Sequence, residues 1–403
     1  MKILLGITGG IAAYKAADLA RLLTNRGHVV RCVLTEAGAR FITPLTLAAL
    51  TGEPCYGANP DRHEWRPSPV VEHIELARWA DIVAIVPATA DSLGKTANGL
   101  ANDLLSTVLL ATKAPVLWAP AMNTAMWEHP AVRANVERLK SFGHQLVEPE
   151  EGLLACGEAG PGKLADIERI VDAIRAVGGA RIPSLDGKQV LVTAGPTRED
   201  LDPVRLLTNR STGAMGIEIA RSLRDAGAEV HLVLGGDLEA PYGVATVRAR
   251  SADAMMTACA ELWPRMDGCI AAAAVADQRP ERIAKEKVKK GEGPEEITLV
   301  RTPDILLNLG MQKREGQWLL GFAAESEHHI DHAHAKLAKK KLDAVFVNDI
   351  ASGRAFGNQD NILTPVVALG PQAPLGPLPK DQLAQALVAW WGARLGSQIE
   401  NRK

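Results

Sequence analysis

The order strand, glycine-bearing loop, helix, strand is written twice in this chain, once from residue 2 and again from about residue 189. "KILLGI" leads through "TGG" into "IAAYKAADLARLLTNRG" and "HVVRCVL"; "KQVLVTAG" leads through a longer loop into "GAMGIEIARSLRDAG" and "AEVHLVLG". Leu19, Leu22 and Leu23 in the first helical stretch, and Ile217, Ile219, Ala220 and Leu223 in the second, recur at helical spacing. A crossover between parallel strands is right-handed, so each copy opens a βαβ unit. Uninterrupted apolar runs follow: "DIVAIVPA" and "APVLWAPA" in the first half, "GCIAAAAVAD", "WLLGFAAE" and "LDAVFVND" in the second. Strands without polar alternation, separated by helices, belong to parallel sheets covered on both faces. The pattern predicts an α/β protein of two doubly wound parallel-sheet domains. A chain of 403 residues also exceeds what one core organises. The glycine, proline and polar stretch "VGGARIPSLDGKQ" puts the boundary near residue 185, giving domains 1–185 and 186–403.

The formal net charge of −2 provides no global attraction to nucleic acid or anionic membrane. The opening residues lack the regions of a signal peptide, and no apolar stretch approaches the roughly 18 residues of a membrane span. A cytoplasmic enzyme acting on small molecules, with copies of itself as partners, is the expectation. Five cysteines, scattered and without a CxxC, argue against a disulfide framework or a compact zinc site. Cys32, Cys259 and Cys269 lie in strand or helix patterns and read as small buried hydrophobes, whereas Cys55 and Cys156 fall in loops.

In open parallel sheets ligands bind beyond the carboxyl ends of the strands. Thr8, Gly9 and Gly10 end the first strand just before a helix, which suits either a phosphate or merely a tight turn. The spacing is not GxGxxG, and Thr35 precedes Glu36 beyond the second strand, so the dinucleotide fingerprint is incomplete. "VPATADSLGKTANGLANDLLS" offers Thr89, Asp91 and Ser106, and "APAMNTAMW" offers Met122 and Asn123 beside apolar neighbours. A ring with polar edges fits such walls.

"GITGGIAAYK", "HIELARWAD", "PATAD", "ANDLLS", "PAMN" and "ACGEAGPGKL" occur in the order found in the flavin-dependent cysteine decarboxylases, which residues 1 to 180 resemble. The resemblance implies a flavodoxin-like domain binding FMN, with His73, Asn123 and Cys156 as functional side chains. A cysteine-terminated substrate loses CO2 poorly because the carbanion has no stabilising neighbour. Hydride transfer from the carbon bearing sulfur to FMN makes a thioaldehyde that accepts those electrons, and reduction of the resulting ene-thiol then needs a proton. A thiol of ordinary pKa, about 8.5, carries that proton at neutral pH, which suits Cys156 to the acid's role on a flap. An imidazole such as His73 can accept the substrate's thiol proton, and the Asn123 amide can donate to its carboxylate.

"VTAGPTREDLDPVRLLTNRSTGAMGIEIA" is too long for a simple strand-to-helix turn, and its Ser211 and Thr212 precede a helix. With "AAAVAD", "EKVKK", "TPDIL", "GFAAES" and "KLAKKKLDAVFVND", it resembles the phosphopantothenate-cysteine ligases over most of residues 187 to 365. The resemblance implies a Rossmann-like domain that uses CTP and Mg2+ to activate 4'-phosphopantothenate as an acyl-cytidylate, from which L-cysteine displaces CMP. Lys287, Lys336 and Lys340 match its nucleotide-binding lysines. Ala271, Ala272, Ala273, Asp277, Phe322 and the run Pro303, Asp304, Ile305, Leu306 match its pocket. Asn209 matches the residue that handles the acyl-cytidylate, and Arg205 is expected on phosphate or carboxylate. Ala214 departs from the family's usual lysine, so a phosphate contact is either absent there or supplied by another chain.

"HHIDHAH" puts His328 and His332 on one helix face, which reads as an exposed helix before it reads as a metal site; the metal ligands are unknown. The product of the second half would be the substrate of the first, implying a bifunctional enzyme of coenzyme A synthesis. Flavin-domain trimers with the pocket between chains, joined by ligase-domain dimers, would form a homo-oligomer, a dodecamer. The rivals are a non-catalytic FMN-binding regulator and a two-domain NAD-dependent oxidoreductase.

Overall fold

A computed structural model describes residues 1–57, 71–288, 297–325, 329–349 and 360–400. The chain divides into two compact units, Met1–Gly179 and Ala180–Lys403.

In the first unit, β1 (Lys2–Ile7), β2 (Val29–Leu34), β3 (Cys55–Gly57), β4 (Ile82–Ala88), β5 (Val116–Pro120) and β6 (Gln145–Leu146) form one parallel sheet. Its order is β3-β2-β1-β4-β5-β6. Without the short edge strand β3 this is the flavodoxin order, reversing direction between β1 and β4. Ile3, Leu4, Leu5 and Ile7 are fully buried, as are Ile82 to Val86, because helices cover both faces. Leu19 and Leu23 of helix Lys15–Asn25, and Ile170, Val171 and Ile174 of helix Ile167–Gly178, supply the apolar stripes.

Three local expectations change. The first helix starts as a 3-10 turn, Ile11–Tyr14, and becomes α-helical only at Lys15. Cys55 lies in β3 and is partly buried, not in a loop, because it pairs with Cys32 of β2. The glycine-rich stretch around Cys156 forms a hairpin, β7 (Glu150–Leu153) with β8 (Ala159–Lys163), closed in part by Lys163 against Glu150 at 3.5 Å.

The second unit contains β9 (Gln189–Ala194), β10 (Arg198–Asp200), β11 (Leu206–Thr208), β12 (Glu229–Leu234), β13 (Ala245–Arg248), β14 (Gly268–Ala271), β15 (Gln278–Pro280) and β16 (Leu299–Arg301). After these come β17 (Trp318–Glu325), β18 (Ala344–Asp349), β19 (Asn361–Val367), β20 (Gly370–Pro371) and β21 (Leu375–Leu378). The main sheet runs β13-β12-β9-β14-β17-β18-β19-β20, with β21 also beside β19. Its pairs are parallel from β13 to β18 and antiparallel from there on. The pairs β10-β11 and β15-β16 are separate antiparallel ribbons.

The run "GCIAAAAVAD" stays in the sheet only to Ala271. The Ala272 N–H makes a ladder bond to Thr193 O at 3.1 Å, and beyond it the Ala273 N–H donates to the Thr193 hydroxyl at 3.2 Å.

The tail packs on the second unit itself. Leu383, Ala384, Leu387, Val388 and Trp391 of helix Lys380–Glu400 join Ile219, Ala220 and Leu223 in one core, as does Leu185, the residue at the sequence-read boundary. No helix among the described residues is long and apolar enough to cross a membrane.

Phe346 is fully buried, with ring centroids 5.5 Å from Phe322 and 5.6 Å from Trp390. Phe346→Ala should destabilise the second unit by about 3–5 kcal/mol, read as a lower urea midpoint of tryptophan fluorescence.

Candidate active sites

The reversal between β1 and β4 lets the loops that follow them part, and two adjoining cavities open there. One, of about 600 Å³, is lined by Thr8, Gly9, Thr35, Thr89, Asp91 and Ser106. The other, of about 530 Å³, is lined by Gly9, Gly10, Thr89, Met122, Asn123 and Cys156. Every flavin-binding residue expected from the sequence therefore lines one or both.

Several of those hydroxyls also brace the walls. The Thr8 hydroxyl donates to the Pro87 carbonyl at 2.7 Å and accepts from the Thr89 N–H at 3.1 Å. Thr89 caps helix Ala90–Ala97 in a reciprocal box with Ser92, and Ser106 does the same with Asp103 at helix Leu104–Ala111. Asp91 is held by Lys95 at 2.9 Å, and that hydrogen bond, with Asp103 nearby, raises the Lys95 ammonium pKa against the opposing effect of burial. At Gly9 a Cβ would meet the Ala37 Cβ at 2.4 Å, so only glycine lets the two loops close. At Gly10 a Cβ would find no atom nearer than 3.8 Å, leaving room above the backbone. A flat ring over Gly10 and Met122, with an anionic group toward Ser92 and Lys95, fits this cradle.

The hairpin supplies one wall of the second cavity. Met122 N–H donates to Gly162 O at 3.0 Å, and a Cβ at Gly162 would lie 2.2 Å from Met122 O. Glycine alone allows β8 to lie against the "PAMN" loop. The hairpin turn then delivers Cys156 to Asn123, whose Nδ2 is 3.4 Å from Sγ. Asn123 is itself oriented by accepting from Ala125 N–H at 2.8 Å. Cys156 is the exposed thiol of the five; burial pushes Cys259 up to about 12 and Cys55 to about 11. Glu158, which sequence reasoning missed, receives the Asn123 amide at 2.7 Å. Its signal was present two residues beyond Cys156. His73 sits half-buried in the first turn of helix Glu72–Trp79 and is not among the residues that line either cavity.

In the second unit a cavity of about 530 Å³ opens at the corresponding reversal between β9 and β14. Ala271, Ala273, Asp277, Pro303, Asp304, Ile305, Leu306, Phe322, Lys336 and Lys340 line it, as expected. Ala272, Arg205, Asn209 and Lys287 do not. Ala272 packs instead against the core. Lys336 donates to Phe322 O at 2.6 Å, and Lys340 pairs with Asp304 at 2.8 Å. Burial opposes ionisation of Asp304, but Lys340, the Leu307 N–H and Lys336 outweigh it and hold the carboxyl below its ordinary range. Arg301 also lines the cavity and makes no ion pair among the described residues. A basic residue three before Asp304 was the signal for it.

Arg205 and Asn209 brace the loops around this cavity. Asn209 Nδ2 donates to the carbonyls of Ala274 and Val275, both at 3.1 Å. Arg205 grips the buried Asp202 carboxylate at 2.6 Å and donates to Val288 O at 3.2 Å, beside Lys287. Burial works against ionisation of Asp202, yet Arg205 and the N–H groups of Val204, Arg205 and Val288 hold its carboxyl far below the usual range. His328 lies outside the described residues, and no group of three or more His, Cys, Asp or Glu side chains among them could hold a metal.

The flavoprotein family pattern matches residues 1–178, and the pattern of the DNA/pantothenate metabolism flavoprotein C-terminal domain matches residues 185–393. The chain is 44% identical over 366 residues to the coenzyme A biosynthesis bifunctional protein CoaBC of Bacillus subtilis, covering 90% of this chain and 89% of that one. It is 42% identical over 395 residues to the protein of the same name from Vibrio cholerae, covering 96% of each. A solved C-terminal domain of a coenzyme A biosynthesis bifunctional protein CoaBC matches at 38% identity with a TM-score of 0.46, covering 53% of this chain and 98% of that one.

A carboxyl depressed by folding stabilises the fold above its unfolded pKa, about 4, and that contribution is lost as pH falls through the folded value. Arg205→Ala removes the main partner of Asp202 and raises its folded pKa. The acid-unfolding midpoint of the variant, followed by circular dichroism, should therefore move to higher pH than that of the wild type.

Proposed function

The chain belongs to the family of coenzyme A biosynthesis bifunctional proteins, and from that membership we propose how its two sites divide the chemistry. It is an enzyme with phosphopantothenate-cysteine ligase and phosphopantothenoylcysteine decarboxylase activities, the latter that of a flavoprotein. The second unit joins 4'-phosphopantothenate to L-cysteine, and the first removes CO2 from the product to leave 4'-phosphopantetheine. The observation that carries the assignment is the approach of Asn123 to Cys156, 3.4 Å across the cavity that begins at Gly9 and Gly10.

The flavin of the first unit would be FMN; Thr89, Ser92, Lys95 and Ser106 would hold its phosphate, and Gly10 and Met122 would face its ring. FMN held there would supply a reversible two-electron acceptor for the carbon bearing sulfur. Asn123 holds the substrate carboxylate through its amide. Cys156 gives its proton to the carbon that has lost CO2. His73 takes the substrate's thiol proton, and because it lines neither cavity of its own chain, it comes from a neighbouring copy in a trimer of first units.

In the second unit Phe322 and the run Pro303 to Leu306 hold the nucleotide, and Asp277 accepts from it. CTP is the nucleotide, and Mg2+ enters with its phosphates, since such an ion is commonly held by phosphate oxygens and few carboxylates. Lys336, Lys340 and Arg301 gather positive charge where the triphosphate meets the attacking carboxylate. Asn209 and Arg205 act on that site from its rim, Asn209 by fixing the carbonyls of residues 274 and 275 and Arg205 by fixing the loop that carries Lys287. Pairing of second units as dimers extends the trimers to a cytoplasmic dodecamer.

Purified protein given 4'-phosphopantothenate, cysteine, CTP and Mg2+ should show a flavin spectrum and release CMP and CO2; absence of all three defeats the reading. Cys156→Ser should release CO2 but accumulate the ene-thiol, and complete conversion to 4'-phosphopantetheine would remove Cys156 from the acid's role. Asn209→Ala should lower coupling while still decarboxylating added 4'-phosphopantothenoylcysteine, as measured by separate assays of CMP and CO2.

A further inference from the structure

The turn that carries Cys156 also carries Glu158, and the two side chains meet. The Glu158 Oε2 atom accepts from Asn123 Nδ2 at 2.7 Å and lies 3.7 Å from the Cys156 sulfur, close enough to accept from its S–H. Asn123 Nδ2 lies 3.4 Å from the same sulfur. Three functional groups therefore close a triangle, with the carboxylate as its acceptor. The geometry is built in from the backbone: Leu154 N–H donates to Glu158 O at 2.8 Å across the turn, fixing the residue relative to Cys156. Asn123 cannot swing away freely, because its carbonyl oxygen accepts from Ala125 N–H at 2.8 Å.

Building on the assignment of Cys156 as the acid, we propose that Glu158 is the positioning and proton-supplying residue behind it. Decarboxylation exchanges a C–COO⁻ bond for a C–H bond and consumes one proton overall. The electron pair of the broken C–C bond stays with the substrate, CO2 leaves neutral, and the oxidation and re-reduction of the substrate cancel. The Cys156 S–H bond breaks to deliver the proton to carbon, and the electron pair of that bond remains on sulfur. Cys156 cannot serve again until the thiolate regains a proton. Glu158 is exposed, so its carboxylate can take a proton from water and pass it to the sulfur it faces. Between turnovers the same carboxylate accepts a hydrogen bond from the thiol and holds it beside the Asn123 amide.

Glu158 also occupies the amide that the substrate's carboxylate is to use. Substrate binding therefore has to displace it from Asn123, leaving Cys156 as its remaining partner in the triangle. The place of the substrate's anionic group is held by one of the protein's own until substrate arrives.

The test uses the flavin-loaded full chain as wild type, Cys156→Ser, Glu158→Gln and Glu158→Asp, each given 4'-phosphopantothenoylcysteine. Mass spectrometry measures the ratio of ene-thiol to 4'-phosphopantetheine. Glu158→Gln preserves size and hydrogen bonding but cannot relay a proton, and its ratio should rise about a hundredfold, the low end of what a positioned acid contributes. Glu158→Asp should recover most of that loss. A wild-type ratio in Glu158→Gln, alongside ene-thiol accumulation in Cys156→Ser, overturns the role of Glu158 and leaves that of Cys156 standing. A wild-type ratio in Cys156→Ser overturns both. A second readout needs no turnover: alkylation of Cys156 by iodoacetamide, followed by peptide mass, should quicken about threefold in Glu158→Gln, because the S–H loses its charged acceptor. An unchanged alkylation rate overturns the contact as a property of the protein in solution.

Discussion

Thr8 joins the end of β1 to the end of β4 through one buried hydroxyl, which donates to Pro87 O and accepts from Thr89 N–H. Thr193 stands at the equivalent place in the second unit, buried at the end of β9, and its oxygens accept from the two N–H groups that follow β14. In each sheet this is where the strand order reverses. The loops on either side must diverge there, and an unbraced gap between diverging strands would leave backbone groups buried without partners. One short hydroxyl side chain closes the bottom of the gap and leaves its top open as a cavity. Both sites stand on that brace.

Above it the two units solve different problems. The first presents small residues and capped helix ends at one end and an inserted hairpin at the other. The hairpin can approach only because Gly162 has no Cβ to strike Met122 O. The second lines its cavity with two lysines already engaged by protein partners, Lys340 by Asp304 and Lys336 by the Phe322 carbonyl. Such pairing orients the ammonium groups and limits the cost of gathering like charges before an anion arrives.

Much of this was legible in the residues. The doubled βαβ opening, the buried apolar strands and the glycine at each loop follow from local periodicity and from the few conformations that turns allow. The residues expected to hold a flavin, and most of the second cavity's lining, were named from motifs, and they line the cavities. The misses share a cause. Glu158 and Arg301 were not singled out, because nearness in sequence to Cys156 or Asp304 does not by itself show which charged side chain faces a site. Arg205 and Asn209 stand at the rim, their polar ends turned to Asp202 and to the carbonyls of residues 274 and 275. The hairpin was read as a loop because glycine and proline dominate its composition, while cross-strand pairing depends on the partner strand.

The sequence by itself determined two sheets, their parallel strands, the helices that cover them and the chemical types available at each loop. Periodicity acts over a few residues, and burial of an apolar strand is favourable wherever the strand ends up. Only the tertiary structure decided which loops meet. Asn123 and Glu158 are 35 residues apart in the chain, and Asn209 and Ala274 are 65 apart, yet each pair shares a hydrogen bond. Those distances close through strand order and through single close backbone approaches, which are properties of the assembled sheet. The thiol at Cys156, the amide at Asn123 and the carboxylate at Glu158 become one group of interacting atoms for that reason.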